Sequence, residues 1–373
     1  MDGVVDADAG GVSSMNWGEL LALLVTGGIF GAVWAILRPR GFAVQLCACG
    51  FVTSLVCTQL LMKHLASAAR YRFPGLVTTL HFLFVWSVSW VFLAVRGEFQ
   101  QCRPMSLGSG RRYAGFVLPI AASLPMSIVL NNTSLMYMGA GLAGVIGTLA
   151  PIITAILSHF LGRRISRAGW MGILVATCGA SCIAMGEVEA GTQDEFVLLG
   201  LVLCSISVLL RAVKAVLQDK LLEPAAYDVE KGQAYAAPSL EPMHVWALTA
   251  PPCTLLALCY ALCTESPAQA VTELTLSVGS LVLLSCISAT VLNVLGMMTV
   301  KQLGASSMQI VGKLNTLVLL ALSMGFWGEQ MPKEVVLGTF FVLLGVAIFE
   351  HGSWDEGYGN EFLRVHAGVP RAT

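Results

Sequence analysis

A chain of 373 residues that is 56% hydrophobic and 12% charged, with mean hydropathy +0.77, lies far from water-soluble domains, in which about a quarter of residues are charged. This is the composition of an integral membrane protein. The net charge of −1 says little about partners, and no nucleic acid is expected; where the charges lie matters more than their sum.

Eleven apolar stretches have about the length, 18–25 residues, that crosses a bilayer as a helix. In chain order they fall near 18–37, 44–65, 75–95, 113–137, 140–161, 167–186, 196–217, 243–264, 276–299, 305–327 and 332–350. The segment before the first, MDGVVDADAGGVSSMNW, holds three aspartates and no Lys or Arg. That suits neither a secretory signal nor a transit peptide, so the first stretch reads as a retained extra helix.

Basic residues alternate between the loops. One side holds Arg38, Arg40, Arg96, Arg103, Arg111, Arg112, Arg163, Arg164 and Arg167, then Lys220, Lys231, Lys301, Arg364 and Arg371; the other holds Lys63, Arg70, Arg72 and Lys333. By the positive-inside rule the richer side is cytosolic, which puts the C-terminus in the cytosol.

Three cations remain inside the spans: Arg211, Lys214 and Lys313. A lysine near the middle of a bilayer helix costs about 2.5–3.5 kcal/mol on insertion scales, so something must compensate it. Apart from Glu19, Glu334 and Glu350 at span edges, no Asp or Glu falls within the stretches. Water or a passing anion is left as the compensation, and proton or sodium coupling through a carboxylate is disfavoured. Arg211 and Lys214 lie about 5–9 Å from the cytosolic edge of their span, within reach of the headgroups by snorkelling. Lys313 lies roughly 12 Å deep, where snorkelling is hard.

The chain also repeats itself. FLGRRISRAGWMGILVATCGASCI, from Phe160, aligns without a gap on FWGEQMPKEVVLGTFFVLLGVAIF, from Phe326, matching Gly162 with Gly328, Gly172 with Gly338 and Gly179 with Gly345. The offset covers five spans, and an odd number forces the copies into opposite orientations, as in many secondary transporters. At that offset Lys313 pairs with Gly147.

Several segments carry a family resemblance in order and spacing: MKHLASAARYRFPGLVTTLHF; NTSLMYMGAGLAGVIGTLAPIITAILSHFLG with its central Pro151; LLRAVKAVLQDKLL; LTAPPCTLLALCYALCTES; and VLNVLGMMTVKQLGASSMQIVGKLN. Over about residues 44–350 the sequence resembles the triose-phosphate and nucleotide-sugar transporter branch of the drug/metabolite transporter superfamily. The resemblance implies an all-α membrane protein with ten helices in two inverted five-helix repeats, here preceded by one extra N-terminal helix. It divides the chain into 1–43, a first repeat 44–190, a second repeat 191–350 and a cytosolic tail 351–373. It also implies antiport of an anionic phosphorylated sugar against another phosphate.

The correspondence is mixed in detail. The lysine that plastid sugar-phosphate exchangers carry ahead of the proline falls at Gly147, and their later Lys-Arg pair falls at Thr316 and Leu317. GKLNT is similar to the Gly-x-Leu-Asn-Lys motif of guanine-nucleotide-sugar transporters through Gly312, Leu314 and Asn315, with Thr316 in place of the closing lysine. The expected substrate-binding set is Lys313 and Arg211 for the phosphates, with Lys214 and Gly312 beside them. Asn315 and Asn293 are expected on a base edge or sugar hydroxyl, Tyr137 in stacking, and His81 as a further polar contact. For the asparagines, helix-to-helix hydrogen bonding is the structural alternative, and for Tyr137 an interface anchor.

No cofactor or metal is expected. Cys178 and Cys182 lack partners for a metal site, and all cysteines except Cys102 lie in spans, where they act as small apolar residues. No phosphate-binding Gly-x-x-x-x-Gly-Lys-Ser/Thr loop and no nucleophile-base set is present, so a pump or an enzyme is not expected; a drug or metabolite exporter of the same superfamily and a membrane-embedded sugar or lipid transferase are the alternatives. Expected partners are an anionic small molecule and membrane lipid, with a homodimer as an option. Golgi or endoplasmic reticulum is favoured over plastid.

Overall fold

The computed structural model describes residues 17–67, 69–98, 110, 113–134, 137, 146–161, 165–186, 197–222, 227–228, 233–234, 240–327 and 333–355. A helix occupies part or all of each of the eleven apolar stretches. They are α1 (Trp17–Ile36), α2 (Phe42–Ser67), α3 (Pro74–Val95), α4 (Leu118–Ser134), α5 (Ala150–Phe160), α6 (Arg167–Gly186), α7 (Val197–Leu222), α8 (Pro242–Thr264), α9 (Leu276–Leu303), α10 (Ala305–Trp327) and α11 (Lys333–Asp355). By length and composition six segments can cross a membrane among the described residues: those at Phe42–Met62, Pro74–Val95, Tyr113–Asn131, Leu198–Leu222, Pro242–Thr264 and Leu276–Leu303. The fold is therefore that of an all-α membrane protein. The polar 218–242 connector adds a two-residue antiparallel β pair, in which Tyr227 faces Ala234 and Asp228 faces Gln233.

Helix ends follow local chemistry. Proline opens α3 and α8, where a missing N–H costs nothing because the first-turn donors have no intrahelical partner. Thr275 caps α9 by accepting from the Val278 amide at 3.4 Å. Gly304 turns the corner between α9 and α10 at φ 86, in the left-handed region that favours glycine. The N-terminus of α3 has a distant cap: Glu265 accepts from the Gly75 amide at 2.6 Å and from the Leu76 amide at 2.9 Å. Beside it Tyr71 is buried, and burial, with Glu265 and Glu273 nearby, pushes its phenol above the usual range.

The helices pack in a patterned way. The most extensive pairs are α6 with α11, α3 with α8, α2 with α9 and α4 with α7, and α5 also packs on α10. Moving every helix number by five turns α2–α9 into α7–α4 and returns the other three pairs to themselves. The glycines obey the same rule. A Cβ on Gly172 would lie 2.8 Å from the Gly345 carbonyl oxygen, and one on Gly179 would lie 2.6 Å from that of Gly338. The residues matched by the repeat thus meet crosswise in the α6–α11 pair, where their bare backbones allow close approach.

The extra helix α1 lies against α10. Its Ile29 and Val33, with Leu37 just past its end, join Val44, Ala48 and Phe51 of α2 and Val311, Leu314 and Val318 of α10 in one buried cluster. Large apolar side chains such as Phe42, Val91, Phe160, Leu198, Leu255 and Phe340 remain exposed on the outside. On a membrane helix that is the surface lipid covers.

Candidate functional site

Between α2, α3, α4, α7, α8, α9 and α10 lies a cavity of about 510 Å³, within the 300–1,000 Å³ range typical of small-molecule sites. Each helix presents one face to it, and the sequence spacing shows why. Phe51, Leu55, Thr58, Gln59 and Met62 recur at the helical period on α2, as do Arg211, Lys214 and Gln218 on α7. The same spacing brings Asn293, Gly296 and Met297 of α9, and Gln309, Gly312 and Lys313 of α10, onto the wall.

All three intramembrane cations reach this space. Lys313 donates from Nζ to the Gly147 carbonyl oxygen at 2.6 Å. Arg211 donates from Nη2 to Asn131 Oδ1 at 3.3 Å, while its Nε is buried without a hydrogen-bond partner among the described residues. Among the described residues Lys214 makes no hydrogen bond or ion pair, and it stands close enough to Arg211 for the two charges to repel. Lys313 and Arg211 repel in the same way. These side chains are enclosed by protein yet half-buried to solvent, because the cavity is wide enough for water to reach them. Among the described residues lining the cavity, none is Asp or Glu. The electrostatic field is that of three clustered cations facing neutral polar groups.

The neutral groups are held by neighbouring helices. Asn315 donates to Gln59 Oε1 at 2.8 Å and leaves its own Oδ1 buried without a partner among the described residues. Trp246 donates to the backbone carbonyl of Asn293 at 3.0 Å, which fixes that turn of α9 with its side-chain amide facing the space. His81 pairs with the Ser285 hydroxyl at 3.0 Å. An anion could take donors from the three cations, and a sugar or base could bond Gln59, Gln309, Asn293 and Asn315.

Of the residues singled out in the sequence, Lys313, Asn315, Gly312, Arg211, Lys214, Asn293 and His81 all line this cavity. Tyr137 does not appear on its described wall: α4 ends at Ser134, and the Tyr137 amide donates to the Ser134 carbonyl in a turn beyond it. Gly139, Gly141, Gly144 and Cys102 lie outside the described residues, as do the side chains of Thr316 and Leu317. Sequence reasoning passed over Gln59, Gln218, Gln309, Thr58 and Thr78. Helical spacing from a neighbouring polar residue was the available signal, as in Arg211, Lys214 and Gln218.

Comparison with known proteins decides the family, because the model of the Triose-phosphate Transporter family matches residues 43–350. The chain belongs to the triose-phosphate transporter family. It is thus a membrane transporter and not an enzyme. Among similar curated proteins of Arabidopsis thaliana, a "Probable sugar phosphate/phosphate translocator" is 23% identical over 78% of this chain and 76% of its own length. The "UDP-URONIC ACID TRANSPORTER 1" is 24% identical over 78% of this chain and 89% of its own. Another "Probable sugar phosphate/phosphate translocator", at 24% identity, is matched over 49% of this chain, and the match spans 56% of that relative's length. A solved crystal structure superposes with a TM-score of 0.55 over 82% of this chain and 96% of its own, at 15% identity, a likeness of fold alone.

Proposed function

We propose that this family member is a secondary-active antiporter that exchanges a nucleotide sugar, or a related sugar phosphate, for a nucleoside monophosphate or phosphate across an organelle membrane. One observation carries the reading: a cavity of about 510 Å³ that gathers Lys313, Arg211 and Lys214 and has no carboxylate among its described lining residues. Three cations with no carboxylate facing them among the described residues are expensive in a membrane protein. A cargo bearing two or more negative charges offsets that cost each time it binds.

In this reading Arg211 clamps a phosphate with its planar fork, and Lys214 and Lys313 add point charges. Gln59, Asn293 and Asn315 hydrogen-bond the sugar or base, Gly312 leaves room beside Lys313, and His81 and Tyr137 contribute at the margins. The helix pairing supports two inverted repeats, 44–190 and 191–350, with the cavity between them. The printed names of the relatives, sugar phosphate translocators and a UDP-uronic acid transporter, support the substrate class. A cationic cavity disfavours the alternative of an exporter for neutral drugs. Golgi or endoplasmic reticulum is the proposed location, with the C-terminus in the cytosol.

The experiment is counterflow in proteoliposomes. Vesicles preloaded with nucleoside monophosphates or phosphate are offered labelled nucleotide sugars and sugar phosphates. Uptake stimulated by the internal anion is expected for at least one pair; equal uptake into empty and loaded vesicles rejects exchange.

A further inference from the structure

Away from the cavity, three ligand-type side chains converge where the end of α3 meets the start of α8. Glu98 follows α3, its amide bonded to the Leu93 carbonyl at 2.9 Å. Glu241 and His244 stand at the start of α8. One carboxylate oxygen from each glutamate and one imidazole nitrogen of His244 all lie within 4.8 Å of one another.

His244 makes this more than an acidic patch. The residue is only 4% exposed, and neither Nδ1 nor Nε2 has a hydrogen-bond partner among the described residues. Nε2 points at Glu98 Oε2 from 3.3 Å, and that oxygen is buried without a hydrogen bond among the described residues as well. A buried imidazole with both nitrogens idle is costly, and a bound cation is one of the few physical explanations for such a group.

We propose that Glu98, Glu241 and His244 form a binding site for a zinc-class divalent cation. One imidazole nitrogen and two carboxylate oxygens, with water in the fourth position, make a donor set suited to that class, whereas Mg²⁺ and Ca²⁺ prefer oxygen throughout. Metal–ligand bonds near ~2.0–2.2 Å require the three atoms to draw in by about 1 Å. The glutamates have that freedom, since their side chains are 32% and 48% exposed. Glu241 is held at 3.0 Å by Arg96, an exposed pair that yields easily to a divalent cation. The bound ion joins α3 to α8 on the side opposite the Glu265 cap, so the two helices are fastened at both ends. None of the three ligands lines the transport cavity.

The test uses the full chain, purified in detergent and stripped with a chelator, titrated with Co²⁺ as a spectroscopic probe. The expected result is a saturable d–d absorption without a thiolate-to-metal charge-transfer band, abolished by equimolar Zn²⁺ and unaffected by equimolar Mg²⁺. Glu98→Gln, a nearly isosteric change at a partly exposed position, is expected to weaken Co²⁺ binding at least tenfold, and His244→Gln at least as much. Should His244→Gln fail to elute as a folded species, Glu98→Gln decides alone. No saturable band identifies an ion pair between Glu98 and His244 and overturns the proposal. A charge-transfer band, which places the metal on cysteine, overturns it too, as does displacement by Mg²⁺ or undiminished affinity in Glu98→Gln.

Discussion

Lys313 donates its ammonium hydrogen bond to the carbonyl of Gly147, a residue 166 positions earlier in the chain. The same offset maps Gly172 on Gly338 and Gly179 on Gly345, the glycines that meet crosswise between α6 and α11. Under the proposed inverted repeat, a residue touches its own counterpart only beside the axis relating the copies. That reading puts Lys313 beside the axis, on the cavity wall, with a single charge where the other half offers a backbone carbonyl.

Replacing that lysine separates function from stability. In Lys313→Met a chain of similar length loses its charge, and exchange of a phosphorylated cargo is expected to fall at least tenfold in counterflow. The folded protein should gain about 1–3 kcal/mol, because a half-buried cation held beside the like charge of Arg211 is removed. A thermal melt in detergent checks the second half: a lower midpoint contradicts the view that the charge is kept at a cost.

The cavity's sign can be changed without touching its cations. Asn293→Asp puts a carboxylate on a wall that has none among the described residues. We expect KM for an anionic cargo to rise several-fold, with less effect on protein yield or melting. Unchanged transport would place Asn293 away from the cargo.

Crowding at α6–α11 supplies a purely structural test. A Cβ on Gly172 would approach the backbone nitrogen of Phe349 to 2.5 Å, and one on Gly345 would strike the backbone of Ala176. Backbone cannot swing aside as a flexible side chain can. Gly172→Ala and Gly345→Ala should therefore each cost about 1–3 kcal/mol. Since they wedge the same contact, the double variant should lose less than the sum, which melting curves of all three variants will show.

The Glu265 carboxylate satisfies two orphan amides at the start of α3 from 190 residues away. Glu265→Ala is expected to cost about 2–3 kcal/mol through lost charge-assisted bonds. Hydrogen exchange should rise first at Gly75 and Leu76 and spare the middle of α9.

Much of this was legible in the sequence because bilayer thickness dictates apolar length. Helices occur at all eleven apolar stretches, and α7 overshoots its stretch by five residues, to Leu222, because its amphipathic end continues past the apolar run. The interior cations were legible as well, since charge in an oily helix stands out. Glutamines do not stand out in that way. Whether Gln59 or Gln309 faces lipid, a neighbour or a cavity depends on rotation about the helix axis, which packing partners set. The Glu98–Glu241–His244 cluster joins segments with no local signature at all.

The middle of α8 contains Pro251 and Pro252 in succession. Neither has an N–H to give, so the carbonyls of Ala247 and Leu248 lose their usual donors one turn earlier. A rod tied at one tip by Glu265, yet weakened at its waist, yields by bowing before it slides. Shape change in this helix would thus begin in the turn between Ala247 and Pro252, just past Trp246 on the chamber wall.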